Sequence, residues 1–386
     1  MKVLIDVRLL GRGGLSGIEE YTRELLTHIF ESDKENHYAL FYNGFKKTPL
    51  PQAWIEKKNV SVLDWKIPNK IFDAETRFLN RPKISDFTDA DIIFSPHFNI
   101  LNPGSIPRII TFHDLSFVHH PYFFNARQKL WHWIQNYQKQ AYEAKKIIAN
   151  SEFTKNDLIN TLKIPENKIE VVYPGINPIF RKLNSEDENL NKFRREKKLE
   201  FPFILYLGTL EPRKNIAAII RAFSLMVQDR KFRDLRLVLA GKPGWLHSGI
   251  IKEARNSPAR DRIAFLGPVE NRERVFLYNL AEGFVYPSFF EGFGFPPLEA
   301  QACGCPVVVS ERTALAETIG KSGITADPWR VEALAEILKK ILGQKTLRQE
   351  LIKSGLENAR KFTWEKAVHK ILKIFNSASN AQKISH

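Results

Sequence analysis

The stretch Glu291-Gly-Phe-Gly-Phe-Pro-Pro-Leu-Glu299 sets two carboxylates around a turn that cannot be regular secondary structure. Gly292 and Gly294 allow backbone shapes that other residues avoid, and Pro296-Pro297 fits only at the start of a helix. Glu291 is therefore expected in a loop and Glu299 in the first helical turn. Between them, the N–H groups within residues 293 to 298, which the two prolines lack, have no helical partners and form a cradle for an anion. The cradle can hold phosphate oxygens, while the carboxylates accept hydrogen bonds from sugar hydroxyls. Taken singly, Glu291 is an ordinary loop residue and Glu299 a favourable charge near a helix start. Only the whole pattern points to phosphate and sugar chemistry.

Three further groups have chemistry to weigh. Gly208-Thr-Leu-Glu-Pro-Arg213-Lys214-Asn215 ends a strand in glycine, turns at proline and puts two adjacent cations at a helix start. Those charges oppose the helix dipole, a cost that a bound diphosphate relieves. Gly11-Arg-Gly-Gly14-Leu-Ser-Gly17 lies between a strand and a helix, where backbone amides can approach an anion or sugar. It lacks the sixth-position glycine of a dinucleotide fingerprint, because Ser16 stands there, and Phe41-Tyr-Asn43 supplies no acidic ribose partner. His113-Asp114 closes the apolar run Ile109-Ile-Thr-Phe112 and is expected at a strand's carboxyl end. Asp89-Ala-Asp91 has the spacing of a metal-binding pair, but it reads as the polar lead-in to the buried strand Ile92-Ile-Phe94. No His-x-x-x-His or carboxylate cluster supports a metal site.

Short apolar runs alternate with amphipathic segments along most of the chain. Strands are expected at 2–7, 38–42, 91–94, 108–112, 146–149, 169–172, 203–207, 235–240, 262–265, 283–286 and 306–309. Helices are expected at 17–31, 124–144, 151–161, 213–228, 271–281 and 330–342. This alternation predicts an α/β protein with parallel sheets covered by helices. At 386 residues the chain is long enough for two such domains. The break lies near Tyr173-Pro-Gly-Ile-Asn-Pro178, after which Phe203-Ile-Leu-Tyr-Leu-Gly208 restarts a strand and glycine turn. The predicted division is 1–180, a linker at 181–200, and 201–362, with 363–386 completing the first domain; the tail beyond Asn376 reads as frayed.

Cys303 and Cys305 are too close for a disulfide and too few for zinc, so they read as buried thiols of a reducing cytoplasm. No run of 18 apolar residues predicts a membrane-spanning helix. The net charge of +15 is spread along the chain, with a cluster at Lys192 to Lys198 and another over the C-terminal helices. Without a nucleic-acid-binding motif, that charge fits loose attraction to an anionic membrane surface better than nucleic acid.

On these residues the sequence resembles the retaining glycosyltransferases of family 4. The likeness takes in the glycine loop, His113-Asp114, Ser151, Tyr173-Pro-Gly175, Glu211-Pro-Arg-Lys-Asn215, Glu291 and Glu299, and Pro306-Val-Val-Val309. It implies a GT-B fold, two Rossmann-like domains with parallel sheets facing across a cleft, and no metal requirement. It further implies that Glu299 holds the donor ribose, and that Glu291 with Phe293, Gly294 and Phe295 holds the donor sugar. Arg213 and Lys214, joined by the Leu298 amide, would bind the diphosphate. His113 would contact the sugar near the reacting carbon, Gly14 would lie by the phosphates or acceptor, and Val269 by the base. Catalysis would then rest on His113, Arg213, Lys214 and Glu291.

Phe112-His-Asp-Leu-Ser-Phe-Val-His-His-Pro121, Leu210-Glu-Pro-Arg-Lys-Asn215 and Gly244-Trp245 resemble the mannosyltransferases of surface-polysaccharide assembly. That subgroup implies GDP-mannose as co-substrate and a glycan or lipid-linked oligosaccharide as acceptor. Other readings use UDP-sugars, or a nucleotide-sugar 2-epimerase of the same architecture. A non-catalytic basic surface-binding protein is the third class, and it has no use for Glu291 to Glu299.

Overall fold

Apolar β-branched runs form strands because both faces of a parallel sheet are covered by helices. A computed structural model describes residues 1–12, 17–43 and 50–383. It divides into two units: Met1–Gly175 with Thr363–His386, and Ile176–Phe362.

The first unit's strands are β1 Lys2–Asp6, β2 His37–Tyr42, β3 Val60–Asp64, β4 Ile92–Ser95, β5 Arg108–Phe112, β6 Lys146–Ala149 and β7 Ile169–Val171. They form a seven-stranded sheet in the order β3-β2-β1-β4-β5-β6-β7. The second unit adds β8 Phe203–Leu207, β9 Arg236–Ala240, β10 Ile263–Gly267, β11 Gly283–Tyr286, β12 Val307–Ser310 and β13 Ile324–Ala326. These form a six-stranded sheet ordered β10-β9-β8-β11-β12-β13. Every pairing in both sheets is parallel. The central strands β5, β8, β11 and β12 are buried along their whole length.

Each expected strand is present within two residues of its predicted ends. β3 and β13 were not anticipated, and both are edge strands. β3 exposes Ser61 and Val62, and β13 has only three residues, so neither carries the apolar run of a central strand. The expected helix 124–144 is two, Ala126–Gln135 and Tyr137–Glu143, parted where Asn136 takes a left-handed φ of 48°. The expected linker 181–200 instead contains the helix Glu188–Glu196 inside the second unit. That helix buries Leu190 and Phe193, with Phe193 against Phe276 at 5.2 Å. Apolar residues at such spacing make a polar segment fold against a neighbour.

The last helix, Trp364–Lys383, belongs to the first unit and extends past Asn376, where fraying was expected. It lies against the helix Gly17–Ser32, where the Trp364 ring stacks on His28 at 5.8 Å and meets Tyr21 at 5.9 Å. Phe375 packs on Phe94 of β4, and Lys370 Nζ donates to the Val171 carbonyl at 2.6 Å. This docking leaves no room at Gly175, where a Cβ would fall 2.2 Å from the Trp364 nitrogen. Gly175→Ala should therefore destabilise the protein by about 1–3 kcal/mol through forced repacking. Urea unfolding measures this, and an unchanged midpoint would show that the last helix yields without cost.

Candidate functional site

Both sheets gather polar residues beyond the carboxyl ends of their strands, where ligands bind in parallel folds. In the second unit, β8 ends at Leu207 and the chain turns through Glu211 into a short 3-10 turn, Pro212–Lys214. Asn215 then takes a left-handed φ of 56° and starts the helix Ile216–Met226. The two cations thus sit in the turn before the helix, and not at 213 inside it as the sequence had implied. The Asn215 side chain fixes this turn by donating to the carbonyls of Pro287 at 3.2 Å and Pro328 at 2.7 Å.

The turn meets the loop after β11. Phe289 N donates to the Arg213 carbonyl at 2.9 Å, and Arg213 Nη1 donates to the Phe290 carbonyl at 2.7 Å. Arg213 also bonds Glu211 through Nε at 3.1 Å and Nη2 at 2.9 Å, while Nη1 lies 3.5 Å from a Glu291 oxygen. Lys214 is buried; its Nζ donates to Glu291 and, at 2.8 Å, to the Tyr286 hydroxyl. Burial, then the negative charge of Glu291, pushes the Tyr286 phenol well above its usual range, so it stays protonated. The result is a cluster of two cations and two carboxylates in which Glu291 answers both cations.

Glu291 and Glu299 do not touch the same partners. Gly294, with φ 93°, is the cap of the helix Phe295–Ala302, and a Cβ there would meet Leu315 Cδ2 at 2.1 Å. Counting from Phe295, Glu299 lies in the second turn, one turn later than the sequence implied. It is almost fully buried and faces the helix Asn271–Leu280. Arg274 Nη2 donates to one carboxylate oxygen, and the Tyr278 hydroxyl donates to the other at 2.9 Å. The Arg274 guanidinium in turn lies 5.0 Å from the Phe180 ring centre.

Phe293 and Leu298 are buried, with Phe293 edge-on to Phe295 at 5.0 Å. Half-buried Val269 follows β10 and stands two residues before the helix that carries Arg274 and Tyr278. Arg213, Lys214, Glu291, Phe293, Gly294, Phe295, Leu298, Glu299 and Val269 all lie in the second unit, on loops or helix starts after β8, β10 and β11. The pairings of Glu299 with Arg274 and Tyr278 were missed in the sequence, as were those of Arg213 with Glu211 and of Lys214 with Tyr286.

In the first unit, His113 follows β5 and is half-buried. Its Nε2 lies 2.8 Å from the Pro96 carbonyl, which assigns the proton to that nitrogen. Tyr21 meets the ring edge-on at 4.8 Å. Asp114 turns to the backbone instead, accepting from Ser116 N at 2.9 Å and Ser116 Oγ at 2.6 Å. Gly14 lies outside the described residues. Asp89 and Asp91 stand before β4, at the amino end of the sheet, where Asp91 accepts from Lys2 N at 2.7 Å and Asp89 pairs with the Lys2 ammonium. Both cysteines are buried, and burial raises their thiols far above their usual value.

Comparison with known families and structures adds an independent line. Residues 15–179 match the family model described as Glycosyltransferase Family 4, and residues 187–358 match Glycosyl transferases group 1. The chain is 28% identical over 363 residues to the O-antigen chain mannosyltransferase B of Escherichia coli, covering 91% of this chain and 93% of that one. Its fold matches a sucrose-phosphate synthase of Thermosynechococcus elongatus, with a TM-score of 0.76 at 20% identity over 99% of this chain and all of that one. It also matches HepE of Anabaena, solved with UDP and glucose, with a TM-score of 0.74 at 17% identity over 98% of this chain and all of that one. These likenesses establish the GT-B fold.

Two measurements test the site. Burial pushes His113 below its ordinary value of 6.5, against smaller opposing effects of the Pro96 carbonyl and Asp114. The unfolded chain then takes up a proton at this position before the folded chain does, so stability falls as pH drops below that value. His113→Gln should lose less unfolding free energy between about pH 7 and pH 5 than the parent in urea titrations; equal losses would remove His113 as the cause. Separately, Glu291 competes with any anion for Arg213 and Lys214. Glu291→Gln should bind inorganic pyrophosphate about tenfold more tightly by calorimetry, since one opposing charge is gone. Weaker binding would mean that Glu291 aims the cations and does not compete for them.

Proposed function

We propose that this chain, which belongs to glycosyltransferase family 4, transfers mannose from GDP-mannose to a glycan or lipid-linked acceptor with retention of configuration. The observation that carries the donor side is the pair of cations, Arg213 and Lys214, held beside the glycine-capped start of the helix Phe295–Ala302. A diphosphate satisfies both cations and the amides at that start together. Glu291 then exchanges its ammonium partner for sugar hydroxyls, and Glu299, paired with Arg274, accepts from the ribose. Val269 borders the base, the Leu298 amide joins the diphosphate, and His113 keeps a contact to the sugar near the reacting carbon.

In this reading the bond from the anomeric carbon to the diphosphate oxygen breaks first. The acceptor oxygen bonds to that carbon on the same face, and its proton passes to the departing diphosphate. Arg213, Lys214 and the helix start stabilise the growing negative charge, which is a large term in such catalysis. The same two cations can neutralise the charge that a divalent ion handles elsewhere, so the reaction is assigned as metal-independent. Mannose as the sugar, and a polysaccharide product, rest on the name of the E. coli relative. A nucleotide-sugar donor is supported further by HepE, whose structure holds UDP and glucose. The chain acts at the cytoplasmic side as a peripheral enzyme, drawn by its net charge of +15 to an anionic membrane surface.

Thermal-shift assays across nucleotide sugars test the donor. GDP-mannose should raise the Tm of the parent protein and leave Glu299→Ala unmoved. Equal protection by UDP-sugars would overturn the mannose assignment while leaving the transferase. NMR of the glycoside formed reports the anomer, and an inverted product would overturn the same-face mechanism.

A further inference from the structure

The helices Asn69–Leu79 and Ala126–Gln135 lie side by side in the first unit. Their inner faces are fastened to the sheet by a buried polar chain. Gln135 Oε1 accepts from Ile100 N at 2.6 Å, and Gln135 Nε2 donates to Asp73 at 2.9 Å. Arg8 joins Asp73 at 3.4 Å, chelates Asp6 through Nε at 2.9 Å and Nη2 at 2.7 Å, and donates to the Ile100 carbonyl at 2.9 Å. Ile100 belongs to the loop after β4, the same loop whose Pro96 carbonyl holds His113. Both helices are thus tied to the end of the sheet where His113 stands.

Their outer faces do the reverse of what an aqueous surface favours. Phe78 is 66% exposed, Leu79 67%, Leu130 56% and Trp133 54%. The Phe78 and Trp133 rings are 6.2 Å apart, and the Arg77 guanidinium covers Trp133 at 5.1 Å, so these three side chains bridge the two helices, with Leu79 and Leu130 exposed on the same helices. Single exposed apolar residues are ordinary, but a contiguous aromatic and leucine cluster on two helices marks a contact surface. The frame of the patch is basic. Arg127 and Lys129 are exposed on the second helix, Arg81 and Lys83 follow the first, and no acidic residue occurs between Asn125 and Gln140. Of the first helix's two acids, Asp73 is turned inward to Arg8 and Gln135, and half-buried Glu75 is the one carboxylate on the helix beside Phe78 and Leu79.

Aromatic and leucine side chains inside a basic border are the combination that enters the headgroup layer of a negatively charged bilayer. A protein partner with an acidic rim is the rival occupant, but the spread of positive charge over the whole chain favours an extended anionic surface over a discrete one. We infer that the patch Phe78, Leu79, Leu130 and Trp133, with Arg127 and Lys129, is the face by which this protein docks on anionic phospholipid. This rests on the peripheral-membrane reading above and deepens it by naming the surface. Docking there would hold the His113 end of the sheet near acceptors that reside in the membrane.

The test is vesicle flotation of the full chain with phosphatidylcholine alone and with phosphatidylglycerol added. The parent should float only with the anionic vesicles. Phe78→Ser/Trp133→Ser should lower partitioning about tenfold or more, because it removes the two largest apolar anchors. Arg127→Ser/Lys129→Ser should lower it severalfold, whereas Arg195→Ser/Lys353→Ser, which remove the same charge elsewhere, should leave it near the parent value. An unchanged urea-unfolding midpoint in every variant certifies folding of the first unit, and unchanged pyrophosphate binding certifies the second. If the parent ignores anionic vesicles, the membrane reading and the docking face fall together. If the parent floats and the aromatic variant floats equally well, the docking face falls and the membrane reading stands.

Discussion

An ammonium taken out of water must be answered where it stands, and in the second unit that demand falls on Lys214. Its charge is met by Glu291 and by the Tyr286 hydroxyl, while Arg213 beside it is met by Glu211 and, at longer range, by Glu291. Without these carboxylates, two adjacent cations in a largely buried turn would be costly to fold. With them, the cations are paid for in advance and aimed at one place. The backbone features around them serve the same end: the left-handed Asn215, the Asn215 bonds to Pro287 and Pro328, and the Arg213 bonds to the β11 loop.

That arrangement gives Glu291 a double character. It is a counter-ion to the cations and, in the proposed reaction, a ligand for the sugar. A carboxylate with those two sets of partners links diphosphate binding to sugar binding, because an anion that takes over the cations leaves Glu291 available for hydroxyls. Glu299 is different. Its oxygens are held by Arg274 and Tyr278 on a neighbouring helix, so it is fixed in place and has little to exchange. The two glutamates share a motif but not a mode of action: one can change partners, and the other is a rigid post.

Much of this was legible in the sequence for local reasons. Glycine at 294 is demanded by a positive φ and by the closeness of Leu315, and the double proline marks the helix start within a residue. Central strands were legible because burial on both faces requires unbroken apolar runs. What escaped was non-local or edge-like. Arg274 and Tyr278 lie over twenty residues from Glu299 and read as ordinary helix polarity until the fold brings the two helices together. β3 and β13 lie at sheet edges and lack the apolar signal. The Phe78 and Trp133 cluster was invisible for the opposite reason, since aromatic residues at helical spacing read as core until their exposure is known.

The two units use buried cations in contrasting ways, and the contrast bears on what each can bind. In the first unit, burial works against the Arg8 charge, but Asp6 and then Asp73 more than offset it and hold the guanidinium above its ordinary value. Arg108, which donates to Ser95 and the Asn99 carbonyl and pairs with Gln140, is taken down to about 9 by burial, which the charges of Asp6 and Glu143 do not offset. These arginines spend their donors on carbonyls and side chains within the unit, so they tie loops and helices to the sheet. In the second unit, Arg213 and Lys214 are held by carboxylates at the mouth of the strand ends, beside helix-start amides that have no helical partners. Among the described residues, this arrangement sets exchangeable counter-ions next to a helix start, and in the proposed reaction that combination, more than the number of cations, receives the diphosphate.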